Sequence, residues 1–91
     1  MNKSELIEAL AQELELPARK AGAILDTILG AMMAAMEQGE GVEIRGFGSF
    51  EVREYAPYTG RNPKTGEPIE VRPKKLPFFK VGKELKERVD S

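Results

Sequence analysis

Ninety-one residues are expected to make one small domain, 1–91, that buries only part of its apolar surface without help from a partner chain. The absence of cysteine and histidine excludes a disulfide framework, a zinc–thiolate site and the usual general base of an enzyme. The net charge of −1 hides an asymmetry: residues 1–44 carry three Lys/Arg against eight acids, a net of −5, and residues 45–91 carry eleven against seven, a net of +4.

At the N-terminus, Asn2 and Glu5 have the spacing of a helix cap and its return partner, and Leu6, Ile7, Leu10 and Leu14 then recur on one helical face. Leu16-Pro17 interrupts that pattern. Proline suits a first helical turn, so a second helix is expected from Pro17 to about Gln38, ended by Gly39 and Gly41. Its apolar stripe runs from Ala21 through Ile24, Leu25, Ile28 and Leu29 to Met32, Met33 and Met36, too wide for one short helical neighbour to cover. A second copy of the chain would cover it. The longest uncharged apolar run, Thr27 to Met36, is too short to span a bilayer, and the polar start lacks a secretory apolar segment. A cytoplasmic protein with no membrane partner is expected.

After Gly41 the period falls to two. Val42 and Ile44 alternate with Glu43 and Arg45, a Gly46-Phe47-Gly48 turn follows, and Phe50 and Val52 alternate with Glu51 and Arg53. A strand continuing from Arg53 to Gly60 would reach roughly 25 Å. Ile69 and Val71 mark its return, and Pro57, Pro68 and Pro73 suit the free edges of a two-stranded ribbon. Lys83 to Val89 reads as a short last helix with Leu85 and Val89 turned inward and Lys83–Glu87 and Glu84–Arg88 at ion-pair spacing.

The Gly46-to-Phe50 segment shapes a scaffold: glycines for the turn, phenylalanines for the core. The same role is expected of Phe78-Phe79, in preference to a stacking platform for bases, and the three clustered methionines read as core or dimer filler. The loop Gly60-Arg61-Asn62-Pro63-Lys64-Thr65-Gly66 is composed of ordinary turn residues. Its surroundings give it a function. Arg53, Arg61, Lys64, Arg72, Lys74, Lys75 and Lys80 share the arm or its base with only Glu54, Glu67 and Glu70, and cations on an extended ribbon can follow the phosphates flanking a groove. Pro63 is rigid, apolar and without an N–H, which suits a wedge between base steps.

These segments, Gly46-Phe47-Gly48-Ser49-Phe50, Thr59 to Glu67 and Phe79-Lys80-Val81-Gly82-Lys83-Glu84-Leu85-Lys86, follow a helix pair. In that order and spacing the chain resembles, over essentially its whole length, the HU/integration-host-factor family of bacterial histone-like DNA-bending proteins. The resemblance implies an α+β fold: an intertwined dimer with a helical body, a short antiparallel sheet and a long two-stranded β-ribbon arm per chain. The arms would wrap the minor groove of double-stranded DNA, with Pro63 intercalating. Contacts carried over to the arm are Arg53, Arg61, Asn62, Lys64, Arg72, Lys74 and Lys75, with Lys3, Lys80 and Lys83 meeting phosphate from the body. Many family members have arginine where this arm has Tyr55 and Tyr58, which can hydrogen-bond phosphate or sugar but bring no charge.

The expected parts are a helical dimerisation region of about 1–40, a sheet and arm of about 41–80 and a last helix of about 82–90. The expected function is architectural: bending or compacting DNA in recombination, replication or transcription, in the nucleoid, with no catalysis, cofactor, metal or small-molecule substrate. An HU-like homodimer and a heterodimer with a related chain, as for an integration-host-factor beta-like subunit, both fit. The rival from another class is a protein-interaction module whose basic arm docks on an acidic partner, a reading that the net acidity favours and the basic, proline-tipped arm opposes.

Overall fold

The computed structural model describes the backbone of residues 1–91 and all side chains except those of Tyr58 and Val71. Helix α1 spans Lys3–Leu14, capped by Asn2, whose Oδ1 accepts the Glu5 N–H at 2.8 Å. The chain leaves α1 through Glu15, in the left-handed conformation at φ 53°, so the helix ends one residue before the Leu16-Pro17 break that the sequence marks. Helix α2 spans Ala18–Glu37. Pro17 sits just outside it, and its carbonyl accepts the N–H groups of Lys20 and Ala21. The helices pack where Ile7 lies over Gly22; a Cβ there would meet the Ile7 Cδ1 at 3.5 Å.

Strands β1 (Val42–Ile44), β2 (Gly48–Tyr55) and β5 (Lys74–Val81) form an antiparallel sheet in the order β1-β2-β5. Strands β3 (Tyr58–Arg61) and β4 (Pro68–Val71) form a separate hairpin beyond it. Helix α3 closes the chain at Lys83–Val89. The register pairs Phe50 with Phe79 and Val52 with Pro77, so these residues share the face turned toward α2. There the Phe79 ring packs on Phe50 and Phe47, with centroids 4.8 and 5.5 Å away.

The two turn glycines do different things. Gly46 has φ 84°, the left-handed conformation that glycine adopts without penalty. Gly48 makes room: a Cβ there would lie 2.6 Å from both the Lys80 carbonyl oxygen and the Phe79 ring.

The ribbon departs from its expected form. Pairing stops at Tyr55↔Lys74 and resumes at Tyr58↔Val71, so 56–57 and 72–73 break both strands at one level. A proline stands in each break, and neither can donate to a ladder. The return strand also begins again after Pro73 and runs through Pro77 to Val81, a length that the sequence pattern did not disclose. As the edge of its sheet, β5 is where a proline is tolerated. Two expectations for α3 fail. Val89 is 78% exposed, and Glu84 and Arg88 make no ion pair among the described residues; the Glu84 carboxylate lies against Gly46 instead.

Burial is sparse. Among the described residues only Ala21 and Leu25 are buried hydrophobics, while Ile24, Ile28, Leu29 and Met33 stand open along α2. The surface is 7938 Å², against roughly 5,300 Å² for a compact monomer of this mass. The radius of gyration is 18.9 Å, where a compact domain of this length has about 12 Å. A protruding arm explains part of this excess, but an open stripe on the central helix is not an arm. One chain holds half a core.

Folding should therefore be tied to association: the thermal midpoint should rise with protein concentration, and Ile28→Asp should unfold the chain. A concentration-independent midpoint, or a folded Ile28→Asp monomer, would show that one chain suffices.

Candidate nucleic-acid interface

The arm tip is a built loop. Residues 62–67 link β3 to β4, with the Asn62 N–H donating to the Glu67 carbonyl at 2.8 Å and the Gly66 N–H to the Asn62 carbonyl at 2.7 Å. Side chains complete it. The Asn62 Oδ1 accepts the Lys64 N–H at 2.9 Å, and the Thr65 hydroxyl accepts the Glu67 N–H at 3.3 Å. Asn62 thus bonds its own backbone two residues on, a turn-forming use of this side chain. Pro63 lies between the bonded residues with its ring exposed at the end of the arm, and Arg61 and Lys64 flank it, both exposed.

Below the break, strand alternation sorts the cations onto two faces. Opposite the α2 side, the pairs Ser49↔Lys80, Glu51↔Phe78, Arg53↔Leu76 and Tyr55↔Lys74 succeed one another toward the arm. That face collects Lys80, Arg53, Tyr55 and Lys74. Lys75 belongs to the other face, where its Nζ lies 3.6 Å from the Glu54 carboxylate. Arg72 stands in the break. The side chain of Tyr58 lies outside the described residues.

The remaining cations are on the body. Lys3 opens α1, but its Nζ sits 2.7 Å from the Asp26 carboxylate on α2. Both partners are more than half exposed, so this pair contributes only about 0–1 kcal/mol to stability, and a phosphate can compete for the lysine. Lys83 opens α3 with Glu87 4.0 Å away, a loose pair between exposed groups.

Two features escaped the sequence reading. A core role is expected of Phe78-Phe79, and Phe79 takes it against Phe47 and Phe50, but Phe78 points to the opposite face, where the Arg53 guanidinium carbon lies 3.4 Å from its ring centroid. Recognising β5 as a strand would have separated them. Arg45 also lines a hollow of about 250 Å³ with Gly46, Phe47, Glu84, Leu85 and Arg88 beside the turn; its alternation with Ile44 was legible, its proximity to α3 was not.

A helical half-body, a short sheet and a hydrogen-bonded hairpin with a basic tip define a β-ribbon-armed scaffold whose exposed chemistry suits a polyanion. The comparisons with known proteins agree. The model of the family described as bacterial DNA-binding protein matches residues 1–90. The chain is 54% identical over 91 residues to the integration host factor subunit beta of Idiomarina loihiensis, covering 100% of this chain and 98% of that protein. It is 47% identical over 90 residues to DNA-binding protein HU-beta of Pseudomonas aeruginosa, covering 99% and 100%. Among solved structures, the Anabaena HU–DNA cocrystal structure superposes with a TM-score of 0.86 at 40% identity, covering 98% of this chain and 97% of that one. Thermotoga maritima HU gives 0.70 at 38%, covering 98% of both chains. The chain belongs to the bacterial DNA-binding protein family that includes HU and integration host factor, a family of DNA-binding proteins and not of enzymes. No described helix is long and apolar enough to cross a membrane.

Asn62→Ala should loosen the tip alone: amide exchange at Lys64 and its neighbours should speed up while the thermal midpoint stays put. Unchanged exchange at Lys64 would mean that the Asn62 side chain does not hold the loop.

Proposed function

We propose that this protein bends double-stranded DNA, as a dimer whose two β-ribbon arms enter the minor groove and whose Pro63 side chains wedge between base steps. The observation that carries this reading is the tip: an exposed proline, flanked by Arg61 and Lys64, on a loop fixed by its own hydrogen bonds at the end of a solvated ribbon. A wedge must be held before it meets the stack, because unstacking a base step costs a few kcal/mol that a floppy loop would evade.

In this reading Arg61, Lys64, Arg72 and Lys74 neutralise phosphate along the arm, and Lys80 and Arg53 continue the path over the sheet. Lys3 and Lys83 receive the duplex at its flanks, Lys3 by exchanging Asp26 for phosphate. Asn62 acts through the loop as well as through contact, and Lys75 contributes charge from the far face. Recognition relies on shape and deformability, since the minor groove offers a degenerate pattern of donors and acceptors. The helices serve dimerisation and the remainder serves DNA, within one domain spanning the chain. The protein works in the cytoplasm, on the nucleoid. A dock for an acidic protein is set aside, since family membership explains the same basic arm.

Pro63→Ala should reduce the bend angle of a duplex labelled at both ends for energy transfer more than it reduces affinity; undiminished bending would remove Pro63 from the mechanism. Tyr55 and Tyr58 bring no charge to the arm, so the logarithmic salt dependence should be shallow. Tyr55→Arg with Tyr58→Arg adds four cations per dimer and should steepen it by up to roughly 3–4. Equal slopes in the two proteins would refute a neutral role for the tyrosines.

A further inference from the structure

Phe78 lies on the sheet face opposite α2, 40% exposed, and the Arg53 guanidinium stacks on its ring 3.4 Å from the centroid. The two are diagonal cross-strand neighbours: Arg53 pairs with Leu76, and Phe78 pairs with Glu51. Glu51 is two residues from Arg53 on the same strand face, yet Arg53 makes no ion pair among the described residues. The guanidinium carbon sits over the ring, and no described carboxylate pairs with it. Lys80 stands next on one side and Lys74 on the other, so the stack occupies the gap between two cations along that face.

We infer that Phe78 is a positioning residue for DNA binding: its ring fixes the Arg53 guanidinium over the sheet, with the in-plane N–H donors directed outward to phosphate. This rests on the DNA-binding reading proposed above. The physical reason is entropic. A free arginine side chain gives up rotamer freedom when it docks. A cation–π stack spends that freedom beforehand while leaving the in-plane donors free. Phe78 adds no charge, so it acts on affinity and not on the number of neutralised phosphates.

The test is the affinity of the intact dimer for a nicked duplex across a salt series, for wild type, Phe78→Ala, Phe78→Tyr, Arg53→Ala and the Phe78→Ala/Arg53→Ala double variant. Phe78→Ala should weaken binding by about threefold to tenfold with an unchanged salt slope, and Phe78→Tyr should retain wild-type affinity. Phe78→Ala should produce no further loss in the Arg53→Ala background. An equal loss in that background, or no loss in the wild-type one, would overturn the inference. Before any DNA is added, the Arg53 side-chain protons should show an upfield ring-current shift that Phe78→Ala abolishes; its absence in the wild type would equally overturn the stack. Failure of wild-type protein to bind any duplex would instead strike the underlying reading, a result distinct from these.

Discussion

The burial of the α2 stripe is the interaction on which the rest of this molecule depends. With Ile24, Ile28, Leu29 and Met33 open, the sheet has little beneath it to resist bending of the arm. A cleft of about 340 Å³ between α2 and the sheet, lined by Met33, Met36, Glu37, Val52, Lys75, Leu76 and Pro77, is part of the same unfinished core. Apolar burial stabilises by roughly 25 cal/mol per Å², so closing even a fraction of the excess surface outweighs the loose ion pairs on this chain. Covering this surface would make the platform rigid, and in the proposed dimer a rigid platform would give the two arms a defined separation.

The arm rests on a different balance of forces. Among the described residues it buries no side chain, and its order comes from ladder bonds and the hydrogen bonds inside residues 62–67. Such a segment sits at the weak end of a protein's stability range, where local opening is inexpensive. Partial order suits the proposed wedge: the tip keeps its shape through its own hydrogen bonds while little else constrains the limb. Gly48 serves the opposite end of the same lever, because the Phe79 ring crosses its Cα and locks β5 to β2 at the base.

Much of this was legible in the residues. The cap at Asn2, the α2 stripe, the period-two run through Val52 and the tip loop each follow from a local rule, and local rules read well from one chain. Lys74 and Lys75 are expected on a return strand, but the continuation of β5 to Val81 was hidden because Pro77 argues against a strand unless its edge position is already known. The roles of Phe78 and Phe79 went with it, since adjacent aromatics look alike until alternation assigns their faces. Val89 and the Glu84–Arg88 spacing misled for the same reason in reverse: helical periodicity states which residues share a face, and only tertiary structure states what that face meets. The cations of the arm were all visible, but their division between two faces was a matter of register.

The paired interruption at 56–57 and 72–73 has an evolutionary side. A ladder that runs unbroken transmits any change in its length, because one inserted residue reverses the facing of every side chain beyond it. Here the sheet and the tip hairpin each keep their own register, and neither passes it through the proline-bearing gap. Insertions or deletions at that level would leave both modules internally intact. Reach is thereby separable from recognition: a lineage could lengthen or shorten the limb without redesigning what it carries.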